Sequence, residues 1–321
     1  MKNQLFLMGL TIMGFLTANA QNVISTSTVT SGGLEAGSNG EGNTFYGYQS
    51  GKATISNTLS RNTFFGYKSG KINSSGVSNV FIGTEAGANN TTGGGNVFVG
   101  DNAGGSISTE SGNVCIGSGS GAQMSGSNNT YIGYESGMET IGSGNVFIGN
   151  YAGFGGNNLS NTLIISNTET DNPLITGDFI TSKLKLNGKV GIGNAFGNFP
   201  TTAGGVNLNN YSLFVKGGLL TEEVRVNLQS AWADYVFQPE YKLPTLIEVE
   251  KHIKEKGHLI NVPSSKQITE EGIALGEMTK IQQEKIEELT LYIIEQNKTN
   301  EKQAKDIEEL KKLVNNLINN K

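Results

Sequence analysis

Apolar residues in the first half of this chain come in threes, each run opened by an asparagine and closed by a glycine. Asn96-Val97-Phe98-Val99-Gly100 is one such run and Asn145-Val146-Phe147-Ile148-Gly149 another. The opening residues are Asn43, Asn62, Asn79, Asn96, Asn113, Asn129, Asn145 and Asn161, at steps of 19, 17, 17, 17, 16, 16 and 16. Two variable residues, a Ser or Ala and a second Gly follow, as in Tyr48-Gln49-Ser50-Gly51. The eighth copy changes to Leu163-Ile164-Ile165-Ser166. A short fixed period of this kind marks a stacked repeat. In a strand the middle residue of each triplet faces one side and its neighbours the other. Both sides are apolar, so the strand is covered twice. The pattern predicts a mostly β chain: a parallel β-roll of about eight short coils, each with room for two short strands and two turns. Stacking would bring like residues into columns and the asparagines into an amide ladder. One apolar face fills the coil; the other needs a further surface, most simply a second copy of the chain around a symmetry axis. A self-contained monomeric solenoid is the alternative, although such coils are usually wider.

The pattern changes after Ser166. Leu184 and Leu186 alternate before Asn187-Gly188, and Val190 and Ile192 after it, which predicts a type I′ hairpin. Leu213 and Val215 lead to Gly217-Gly218, with Val224 and Val226 beyond. Residues 166–227 therefore form a β-rich neck. An α-rich junction follows over 228–276. There Thr245 and Glu248 make a capping box, Leu246, Val249 and Ile253 share a helical face, and Gly257 stops the helix. Residues 277–321 read as one long helix. A heptad register puts Ile286, Ile293, Asn300, Ile307 and Val314 at a, and Leu289, Gln296, Gln303, Leu310 and Leu317 at d, enough for a coiled coil. Its polar middle layers fix register; β-branched a with Leu at d favours two strands, whereas the roll asks for three.

Residues 1–20 have the form of a secretory signal peptide. Lys2 is the charged start, Leu5 to Leu16 the apolar stretch and Ala18-Asn19-Ala20 the cleavage site, which leaves Gln21 first and 21–42 as a lead-in to the head at 43–165. No other stretch is apolar enough to span a membrane as a helix. Up to Thr181 there are five Lys/Arg and ten Asp/Glu; the remainder holds eighteen of each. A sparsely charged, mildly acidic repeat argues against nucleic acid and anionic membranes as partners.

Candidate chemistry is sparse. Cys115 is the sole cysteine and takes the aromatic slot of its copy, as a small buried hydrophobe would. His252 and His258 lack a third group at ligand spacing, so no metal is expected. A calcium-binding roll needs a regular Asp, and Asp101 is the only one in the copies. No catalytic cluster or phosphate loop is present, so the chain reads as a non-enzyme without cofactors.

Two resemblances sharpen this picture. The repeat, as in Asn145-Val146-Phe147-Ile148-Gly149-Asn150-Tyr151-Ala152-Gly153, resembles the head repeats of YadA-like trimeric autotransporter adhesins and repeats of phage tail fibres, over about residues 40–165. That likeness implies a left-handed parallel β-roll with three chains to a head; the aromatic third position departs from the small residue common in adhesin heads. Further on stand Trp232-Ala233-Asp234-Tyr235-Val236-Phe237, Tyr241-Lys242-Leu243, Gly257-His258-Leu259-Ile260-Asn261-Val262-Pro263-Ser264 and Leu275-Gly276-Glu277-Met278. In that order, before a long helix, they resemble the C-terminal segment of Bacteroidetes tail-fibre-type proteins, related to the intramolecular chaperone domain of endosialidase-type tail spikes. The resemblance implies a trimer-assembly role. That phage family cleaves itself with a Ser-Lys pair, the Ser opening a Ser-Asp-x-x-Leu-Lys-like motif. Ser230 is the one candidate nucleophile, but Ser230-Ala231-Trp232 lacks the Asp and the nearby Lys of that motif. The expectation is a secreted or cell-surface homotrimeric, adhesin-like fibre. Its ligand, a glycan or a surface protein, would meet variable turns such as 106–112 and 125–128. The alternative is a self-processing spike with an autocleaving C-terminal peptidase.

Overall fold

In a computed structural model of the chain, the residues described are 23–25, 29–55, 59–156, 158–193, 198–227 and 232–319. The signal-peptide stretch and Ser230 lie outside them. The chain divides into two compact units, Met1–Gly188 and Lys189–Lys321.

The first unit is a β-solenoid. Its strands are β1 (Val23–Ser25), β2 (Val29–Gly32), β3 (Asn43–Tyr46), β4 (Thr63–Phe65), β5 (Val80–Ile82), β6 (Val97–Val99), β7 (Val114–Ile116), β8 (Thr130–Ile132), β9 (Val146–Ile148), β10 (Thr162–Ile165), β11 (Ile175–Asp178) and β12 (Lys183–Leu186). They form one sheet in sequence order. From β2 to β10 every pairing is parallel and in register, so Phe64, Phe81 and Phe98 stand directly above one another. At both ends the sheet turns antiparallel, through β1 on β2 and through β11 and β12 after β10.

The interior is a column of middle residues. Phe45, Phe64, Phe81, Phe98, Cys115, Tyr131 and Phe147 are fully buried. The rings of Phe64, Phe81 and Phe98 stack at 4.7 and 4.8 Å, tilted 4–5° from parallel, which is the strand spacing expressed in side chains. Cys115 interrupts the stack, and Met124 Sδ, 3.9 Å from its Sγ, fills the space a ring would take. Burial pushes the Cys115 thiol well above its ordinary pKa, as befits a packing residue rather than a nucleophile.

The asparagine column is a ladder, though not of amide on amide. From Asn43 to Asn129 each Oδ1 accepts the backbone N–H of the next asparagine, as in Asn79 to Asn62, Asn96 to Asn79 and Asn113 to Asn96, all at 2.9 Å; the last, Asn145, accepts Thr162 N–H at 3.0 Å. From Asn62 to Asn145 each Nδ2 donates to a carbonyl 13 or 14 residues on, in the loop that leads to the next coil, as Asn96 does to Glu110 O at 2.9 Å. One side chain thus staples two coils. A true amide pair occurs elsewhere in the interior, where Asn90 Nδ2 donates to Asn73 Oδ1 at 2.6 Å.

Both glycines of the repeat are dictated by geometry. The first, such as Gly83 at φ +135°, has its Cα against the Gly100 carbonyl of the next coil, where a Cβ would collide. The second, such as Gly87 at φ +56°, lies on the ring of Phe81. Between them sits a left-handed residue in coil after coil, Lys68, Glu85 and Asn102 among them.

Three features differ from the sequence-based expectation. Each coil carries one strand, and the second strip is reduced to bridges such as Ser125↔Ile141. An additional coil precedes Asn43: β2 and the turn Gly33-Leu34-Glu35-Ala36-Gly37 repeat the pattern with Ser31 in the aromatic slot. The Asn187-Gly188 hairpin does not form. Asn187 instead folds back on Pro173 and Leu174, donating to their carbonyls at 2.6 and 2.9 Å, and β12 pairs with β11.

In the second unit, β13 (Val190–Ile192) pairs parallel with β16 (Leu213–Val215), and β14 (Thr202–Ala203) antiparallel with β15 (Val206–Asn207). Val224 and Val226 are exposed and outside any strand. A 3-10 turn at Ala233–Phe237 precedes helices α1 (Leu246–Lys256), α2 (Ser265–Glu271) and α3 (Leu275–Asn319). Helix α1 has the Thr245–Glu248 capping box and ends on Gly257 at φ 81°. A second capping box, Ser264 with Gln267, starts α2.

Candidate assembly surface

The solenoid strands have a second face. The residues flanking each buried middle residue point outwards. On that side the third position is 37 % exposed at Tyr46 and Ile148, 38 % at Ile116 and Ile132, and 54 % at Phe65. The first position is apolar or Thr throughout, and half-buried from Val80 to Leu163. Cross-strand partners share a face, so the register carries this stripe onward. Leu163 and Ile165 pair with Gly177 and Ile175, which pair in turn with Leu184 and Leu186. From β3 to β12 the stripe crosses ten strands, about 43 Å at the usual strand spacing. Scattered apolar residues on a surface are ordinary; a contiguous row of this length is not.

The long helix α3 shows the same split. One face is covered by its own unit. Glu284, Glu287 and Glu288 are buried there. Tyr235 Oη donates to Glu284, Tyr241 Oη to Glu288 and Tyr292 Oη to the Pro244 carbonyl. Asn261 Nδ2 donates to Glu284 at 3.2 Å, and Lys285 bridges Glu284 and Glu288 at 2.8 Å each. Burial opposes the charge on Glu284, but the bonds from Lys285, Tyr235 and Asn261 outweigh it and hold the carboxyl below its ordinary pKa. The bond to Glu284, helped by burial, lifts the Tyr235 phenol to about 12. Burial and the bond to Glu288 lift Tyr241 as well.

The heptad residues Ile286, Leu289, Ile293, Ile307, Leu310, Val314 and Leu317 lie off that covered face, each more than half exposed. Gln296 and Asn300 meet along the helix at 2.7 Å, one turn apart. In α1, Leu246 and Ile253 of the predicted apolar face are also exposed.

The remaining candidates are placed as follows. His252 and His258 come together, with ring centroids 5.4 Å apart and edge to face, but no third ligand joins them. Among the described residues no group of three or more His, Cys, Asp or Glu could hold a metal. The turn at 106–112 is pinned, with Ile107 fully buried and the N–H groups of Ser108 and Thr109 donating to Glu110 Oε2 at 3.0 and 2.9 Å. The turn at 125–128 is held through Ser125 N–H on Thr140 O and Ser127 N–H on Ser143 Oγ. Both present a fixed outer surface. No helix among the described residues is long and apolar enough to cross a membrane. Comparison with protein-family models, curated proteins and solved structures returned no match.

Proposed function

We propose that this protein is a secreted or cell-surface structural fibre, a homotrimer in which the solenoid is an adhesin-like head and the C-terminal segment drives assembly. The observation that carries the reading is the outer apolar stripe. A strand triplet with a buried middle residue and outward-facing neighbours, repeated in register over the eight strands β3 to β10 and continued on the outer side by Ile175 and Leu186, is the surface expected when neighbouring copies complete one another's cover. The α3 seam supports it independently, because the second unit covers one face of the helix and leaves the heptad face open. A head built this way holds its turns on a stiff scaffold, where the variable segments at 106–112 and 125–128 would meet a glycan or surface protein.

The test is the solution mass of the chain from Gln21. Light scattering or sedimentation at micromolar concentration is expected to give three times the chain mass. A monomer under those conditions defeats the assembly and the fibre with it.

A further inference from the structure

We propose that the cavity beneath the last coil is a binding site for a short, extended, cationic peptide, which occupies the place of the coil that the chain does not continue. Earlier strands of the roll are followed by a Gly-x-x-Ser/Ala-Gly turn that roofs the next coil. After β10 the chain leaves at Ser166 and returns as antiparallel β11, so among the described residues no further Gly-x-x-Ser/Ala-Gly turn stacks on the turn at 153–156. The result is a cavity of about 600 Å³, within the range of ligand sites.

The backbone there is prepared for a further rung. In earlier coils the N–H of the second turn glycine donates to the following coil: Gly70 to Ala86 O, Gly87 to Ala103 O, Gly104 to Ser120 O, Gly121 to Ser136 O and Gly137 to Ala152 O, each at 2.9 Å. Gly153 is the last of this series and lines the cavity. Among the described residues no later coil offers it a carbonyl. An extended segment laid beneath Gly153 would supply one, as peptides do when they add to a sheet.

The side chains select the class of peptide. Leu159 and Ile164 form an apolar floor, Thr162 and Thr176 a hydroxyl wall, and the exposed Glu169 and Asp171 the lip; among the described residues no Lys or Arg lines the cavity. A cationic segment complements that lip, and the ladder favours a small residue before a glycine. The chain's own turns Ser50-Gly51-Lys52 and Ser69-Gly70-Lys71 have both features. Thr176 pairs with Ile164, on the side of the sheet opposite Leu163 and Ile165. The site is therefore independent of whatever covers the outer stripe.

The probe is a labelled synthetic peptide with the sequence of residues 67–72, Tyr-Lys-Ser-Gly-Lys-Ile, titrated into the full chain by fluorescence anisotropy. Saturable binding is expected, with slowed hydrogen exchange at the Gly153 amide. The double variant Glu169→Lys/Asp171→Lys, on the exposed lip, should weaken binding by about tenfold or more. Thr176→Trp, which fills the cavity, should abolish it. Absence of saturable binding overturns the proposal. So does binding that survives both variants, or equal binding by a peptide whose lysines are replaced by Glu.

Discussion

At the scale of single residues, the repeat imposes two different demands on glycine, and they can be separated. Gly83 has φ +135°, and a methyl group there would collide with the Gly100 backbone. Gly95 has φ +68°, but the nearest atom to its added methyl is Gly112 N at 4.0 Å. Gly95 stands just before its asparagine, and other coils carry Arg61, Ser78 and Asn128 at that place in the same left-handed conformation. Gly83→Ala should therefore cost about 3 kcal/mol or more, and Gly95→Ala only about 1. Urea unfolding followed by circular dichroism checks both, and equal losses would contradict the collision. The asparagine ladder gives a third case. Asn96→Ala leaves the buried Asn113 N–H and Glu110 O without their side-chain partner, a loss of about 3 kcal/mol in the same assay. At Cys115 the interior column departs from an aromatic ring. Cys115→Phe alone should be destabilising by about 1–3 kcal/mol because Met124 already occupies the space. Adding Met124→Ala should recover most of that, so the double variant is more stable than the sum of the singles.

At the scale of elements, the fastening of α3 to its unit is a polar clasp and should respond to pH in a known direction. Glu284 has a folded pKa below its ordinary value. Its contribution is complete above the unfolded carboxyl value of about 4.3 and disappears as pH falls through the depressed folded value. Tyr235 runs the other way. Its contribution is complete below the unfolded phenol value of about 10 and is lost as pH rises through about 12. The clasp should thus be strongest between about pH 5 and 10. Tyr235→Phe should lower the melting temperature of the second unit within that window and flatten the alkaline limb, measurable by thermal melts across pH. The clasp also shows where sequence reasoning stops. The strands, the α1 capping box and the long helix α3 were legible because each depends on spacing along the chain. The additional first coil was read only as a lead-in, because its strand carries Ser31 in the aromatic slot, although its turn Gly33-x-x-Ala36-Gly37 follows the repeat. Tyr235 and Glu284 are 49 positions apart, and no local period announces their meeting. The Asn187-Gly188 pair carries a strong hairpin signal, but the bonds from Asn187 to Pro173 and Leu174 outweigh it, because they join a sheet that is already built.

At the scale of the whole molecule, the outer stripe and the interior column must be separable, since alternate residues of the same three-residue strands build them. Phe98 is fully buried and belongs to the coil, whereas Ile116 is 38 % exposed in a single chain. A charge at Ile116 meets water in the single chain and stays tolerable there, but in the proposed trimer it would meet apolar neighbours, where an unpaired carboxylate costs several kcal/mol. Symmetry places that cost at the interface once per subunit. Ile116→Asp should consequently leave the far-ultraviolet circular dichroism of the roll unchanged and reduce the mass in light scattering to a third. Thr84→Lys, on the exposed turn beside the strands, should leave both unchanged. If Ile116→Asp retains the full mass with its fold intact, the stripe is not where the copies meet, and α3 alone must hold them together. If it loses the fold as well as the mass, the roll cannot exist without its neighbours, and head formation and assembly are one event.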